Sequence, residues 1–94
     1  MSKAIGFKNR DRVIQIGITI SVLRKLRGMS QEELAEKAGI SRSQLSIIEA
    51  PNMTRSFSLE ILFNIADALE IPPSKLLESI TINSESKEEV YNGR

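Results

Sequence analysis

The chain contains no cysteine and no histidine in its 94 residues. Their absence removes a disulfide framework, a thiol nucleophile, an imidazole base and the usual zinc ligands. No metal site, no cofactor and no catalytic residue are expected, and the chain does not read as an enzyme, because no nucleophile stands beside a base. Aromatic residues make up 4% of the chain against 40% hydrophobic residues, which suits a small helical bundle better than a β-sandwich. Long apolar runs are also missing. The richest stretch is broken by Gln15, Thr19 and Ser21, and no basic-then-apolar leader with a small-residue cleavage site opens the chain. A cytoplasmic protein with no membrane span is the expectation.

Charge of one sign is nearly absent as a net quantity, at +1, but it is unevenly spread. Up to residue 27, Lys3, Lys8, Arg10, Arg12, Arg24, Lys25 and Arg27 stand against Asp11 alone. From residue 58 onward Lys75, Lys87 and Arg94 face Glu60, Asp67, Glu70, Glu78, Glu85, Glu88 and Glu89. One end of the molecule is therefore suited to phosphate and the other is not.

The stretch SQEELAEKAGISRSQLSIIE, residues 30–49, is the most informative. Ser30 with Glu33, and Ser41 with Gln44, are capping boxes that mark two helix starts about eleven residues apart. Gly39 falls just past the first of these helices, where a left-handed backbone costs glycine little, and Gly39, Ile40 and Ser41 form a three-residue turn. Such a turn sets two helices at a steep angle. Leu34, Ala35 and Ala38 share one side of the first helix, and Leu45 and Ile48 one side of the second. Arg42, Ser43, Ser46 and Ile47 are left facing outward.

This pattern resembles the lambda-repressor-like or Cro-like helix-turn-helix family, the xenobiotic-response-element type of bacterial and phage regulators. The likeness extends over residues 16–77 and is carried by many spaced matches. They are Ile16-Gly17, Leu23-Arg24, Gly28, Ser30-Gln31, Leu34-Ala35, Gly39-Ile40-Ser41, Ile48-Glu49, Ser58-Leu59, Ile65-Ala66, Ala68-Leu69 and Leu76-Leu77. The resemblance implies an all-α fold, a compact five-helix DNA-binding domain containing a helix-turn-helix. Residues 1–11 then read as a basic N-terminal arm, 12–79 as the helix-turn-helix domain and 80–94 as a polar, acidic C-terminal tail expected to be disordered in a monomer.

Propensity and resemblance disagree over the first helix. From Ile14 to Val22 the residues alternate β-branched with polar or glycine, which local rules score as a strand. Arg24, Gly28 and Ser30 fix the register of the motif and make this segment a helix. It then carries two apolar stripes, Val13, Ile16, Ile20 and Leu23 facing the core, and Ile14, Ile18, Val22 and Leu26 facing away. The outer stripe calls for cover by Ile5 and Phe7, by the C-terminal tail or by another subunit. Farther along, residues 50–57 lack periodicity, Ser58 caps a fourth helix ending near Ile71, and a short fifth helix follows Pro72-Pro73.

By the same resemblance, Arg42, Ser43, Ser46 and Ile47 contact base edges in the major groove of double-stranded DNA. Gln31, Ser41, Gln44, Thr54 and Arg55 are the expected phosphate contacts, helped by free amides at a helix start. Arg24 and Glu49 are expected to form a structural ion pair. The expected function is sequence-specific transcriptional regulation, as a repressor bound to a palindromic operator as a homodimer. The alternative is a protein-interaction module or antitoxin on the same fold, binding its partner through the outer apolar face of the first helix or the tail.

Overall fold

Among the described residues, three helices begin on a serine and three end on a left-handed residue. The computed structural model describes residues 7–52 and 56–78. Four helices are bounded within them: α1 (Phe7–Leu26), α2 (Gln31–Ala38), α3 (Arg42–Glu49) and α4 (Leu59–Leu69). Residues 74–78, here α5, are also helical. No strand occurs among the described residues, so Ile14–Val22 is helix despite its alternation. Buried packing against the other helices outweighs β propensity there.

Ser30, Ser41 and Ser58 each accept a hydrogen bond from the amide three residues on, at 3.0, 3.0 and 3.2 Å. Only Ser30 completes a reciprocal box, with Glu33 accepting from the Ser30 amide at 2.9 Å. At α3 the serine half of the expected box forms alone, which leaves the exposed Gln44 side chain outside the cap. The helix ends share one design. Gly28, Gly39 and Glu70 have φ of 72°, 73° and 61°, and the next residue in each case, Met29, Ile40 or Ile71, donates its amide to the carbonyl five residues back. These three followers are apolar and pack against the core, as expected for this type of helix terminus. Glu70 stops α4 before the two prolines, slightly short of the expected end at Ile71.

The core is formed by Ile20, Leu34, Ala35, Ala38, Leu45, Ile48, Leu62, Ile65, Ala66, Leu69 and Leu76. Ile16 and Leu23 flank it from α1. α2 packs on α3 and α4, and α1 crosses both α3 and α4, so α3 is backed on its inner side by two helices. At the crossing of α1 with α3 sits Gly17, buried; a Cβ there would overlap the Ile48 carbonyl oxygen. Helix α1 takes in residues 7–11, the inner part of the stretch expected to be an N-terminal arm. Ile5, residues 53–55 and the tail beyond residue 78 lie outside the described residues.

Candidate nucleic-acid interface

Helix α3 is eight residues long, and its sequence divides it into two faces. Leu45, Ile48 and Glu49 are buried, whereas Arg42, Ser43, Gln44, Ser46 and Ile47 are exposed. The four residues expected to contact bases therefore share the open side of one helix, with no described hydrogen bond or ion pair holding any of their side chains. Ile47 is 50% exposed and borders a cleft of about 360 Å³ whose walls include Gln44, Phe57 and Ile61. An apolar side chain left open among polar ones is available for contact with a hydrophobic group such as a thymine methyl.

The start of α3 is set by the Ser41 cap and by the turn at Gly39. Its end is set by charge. Glu49 accepts from Arg24 Nε through one oxygen at 2.9 Å and from Arg24 Nη2 through the other at 3.1 Å, a two-pronged pair. The side chains are only 10% and 5% exposed, so water screens this pair poorly. Arg24 also donates to the Met29 carbonyl at 2.8 Å, which ties the α1–α2 turn into the same arrangement.

Gln31 adds a contact that sequence reasoning missed. Its side-chain amide nitrogen donates to Glu49 at 2.9 Å. The residue expected to meet phosphate is thus a third member of the Arg24–Glu49 group, oriented at the start of α2 with one amide N–H left over. The helix start there is unobstructed: Ser30 is exposed and Gln31 partly so. Ser41 is exposed beside its own cap. Thr54 and Arg55 lie outside the described residues. Gln31 to Glu49 spans 18 positions, and no local pattern signals such a pair. The crossing at Gly17 was equally hidden, since a glycine within a β-like alternation carries no sign of its helical neighbour.

Two helices at a three-residue turn, with the second open on one side and braced on the other, form a surface that can enter a groove. Residues 20–76 match the family described as helix-turn-helix. The chain belongs to that family. It is 37% identical over 79 residues to the HTH-type transcriptional regulator SinR of Bacillus subtilis strain 168, covering 84% of this chain and 65% of that protein. The immunity repressor protein of Bacillus phage phi105 is 38% identical, over 84% of this chain and 53% of the repressor. The chain thus spans less than two thirds of the length of these relatives. Among solved structures, the master regulator for biofilm formation SinR in complex with DNA is 40% identical with a TM-score of 0.61, covering 66% of this chain and 97% of that one. The family match and the α3 geometry coincide on the same residues.

A second exposed feature lies on α1. Ile18, Val22 and Leu26 of α1 are 37%, 50% and 77% exposed. The first two line a cleft of about 560 Å³ with Leu23, Ile71, Lys75 and Glu78. Among the described residues, no helix is long and apolar enough to cross a membrane, and no group of carboxylates could hold a metal ion.

Proposed function

We propose that this protein is a sequence-specific, double-stranded-DNA-binding transcriptional regulator that reads the major groove with α3. The observation that carries this reading is the open face of α3, where Arg42, Ser43, Ser46 and Ile47 stand exposed on a helix braced by Arg24, Glu49 and Gln31. Arg42 can give a guanine two parallel hydrogen bonds, the serines can donate or accept at base edges, and Ile47 can cover a thymine methyl. Gln31, Ser41 and Gln44, with the amides that open α2, contact phosphate, as do Thr54 and Arg55 of the following loop. The solved DNA complex of SinR, a family relative, supports the partner. The name of the phage immunity repressor supports the sign of regulation, repression by occupying a promoter.

One eight-residue helix makes few base contacts, so useful discrimination calls for two copies on half-sites about 34 Å apart. The protein acts as a homodimer on a palindromic operator, in the cytoplasm where such DNA is found. Its domain takes in all of α1 from residue 7, with an acidic tail after it. A second reading, binding of a protein partner, is favoured by the open stripe Ile18, Val22 and Leu26 on α1.

Selection of bound duplexes from a random library tests the proposal. Two inverted half-sites should be enriched at moderate salt. Absence of any enriched sequence, with the protein folded, would reject DNA reading and favour the protein-partner role.

A further inference from the structure

We propose that Gly17 is a positioning residue for base reading, because the hold of α1 on the end of α3 sets the depth and tilt at which α3 meets DNA. This rests on the DNA-reading role of α3. Gly17 lies in the middle of α1, and the three atoms nearest to a Cβ built on it are all backbone of the last turn of α3. The Ile48 carbonyl oxygen lies well inside contact distance, the Ile48 carbonyl carbon at 3.1 Å and the Glu49 Cα at 3.6 Å. A side chain can rotate away from an added methyl, but these backbone atoms cannot move without moving the helix.

Two turns farther along α1, on the same side, Arg24 grips Glu49, the residue that follows Ile48. The end of α3 is therefore held at two places by one helix. Its start is held separately, by the Ser41 cap and the α2 turn. An added methyl at Gly17 would push the α3 end outward by on the order of 1 Å, in a helix about 12 Å long. Ser46 and Ile47, nearest that end, would be displaced most. Base-edge hydrogen bonds do not survive such shifts, since they weaken steeply with distance and angle. Contacts to phosphate from the polar side chains around the site are more tolerant and carry no sequence information.

The effect expected of Gly17→Ala is thus a loss of discrimination rather than of attachment. The test compares affinities for a selected duplex and a scrambled duplex, with circular dichroism to confirm folding at the assay temperature. Ile20→Val serves as a control that loosens the core without adding an atom at the crossing. The proposal expects Gly17→Ala to lower the selected-to-scrambled ratio about tenfold or more while scrambled binding stays within about threefold, and Ile20→Val to leave the ratio unchanged. A folded Gly17→Ala protein with the wild-type ratio overturns it, as does a proportional loss on both duplexes or an equal loss of ratio in Ile20→Val.

If Gly17→Ala does not fold, Glu49→Gln decides, since it weakens the neighbouring hold without adding an atom to the crossing. A lowered ratio with scrambled binding retained supports the proposal, and an unchanged ratio overturns it. A wild-type ratio near one would instead remove the DNA-reading role itself, and the proposal with it.

Discussion

Glu49 is the residue on which most depends, because it satisfies Arg24 and Gln31 from a buried position at the end of α3. Replacing it with alanine leaves a buried guanidinium without its anion. Breaking such a pair by removing one partner costs about 3–5 kcal/mol. For a domain of this size each kcal/mol corresponds to about 4–8 °C in melting temperature. Glu49→Ala should therefore melt more than about 10 °C below wild type by calorimetry, and an unchanged melting temperature would show that the pair contributes little. The opposite effect is expected at Glu70, which holds a left-handed backbone without being glycine. That conformation costs a residue with a Cβ about 1–2 kcal/mol, and glycine returns part of the gain through its freer unfolded chain. Glu70→Gly should be more stable by about 0.5–1 kcal/mol in urea unfolding; a destabilised variant would mean that the Glu70 side chain has a role of its own.

At the scale of the element, the helix starts and stops explain why so much of α2, α3 and α4 was legible. A serine cap and a left-handed terminus are local, and Ser30, Ser41, Ser58 and Gly39 announce them within four residues. The α4 end was less legible because Glu70 does the work of a glycine. Helix α1 was legible only through its register with the later motif, since Ile14–Val22 taken alone favours a strand. The open face of α3 followed from its helical period, but the hold on its far end did not. Gly17 against Ile48 and Gln31 against Glu49 join residues 31 and 18 positions apart, and sequence spacing says nothing about such contacts. Gly39→Ala checks the local part. The left-handed backbone there should make it about 1 kcal/mol less stable even though no atom lies near an added Cβ. Equal stability in denaturant titration would mean that the turn accommodates another conformation.

For the molecule as a whole, a net charge of +1 gives little long-range attraction to DNA. On the proposed reading, attachment relies on where the charge lies, with basic residues crowded in the first 27 positions and acidic ones after residue 58. Binding through phosphate contacts should weaken as salt rises, with the slope of log affinity against log salt reporting how many phosphates are neutralised. A salt-independent complex would contradict phosphate attachment. Lys75 and Glu78 stand at the rim of the α1–α5 cleft, whose described lining includes no residue of α3. Reading and partner binding can therefore occupy separate surfaces.

On the proposed reading, the exposed side chains of α3 specify the bases. Duplex selection repeated with Arg42→Ala tests it most directly. The same half-site spacing is expected with one base in each half-site no longer preferred, whereas an unchanged motif would show that Arg42 and the face it heads do not read the sequence.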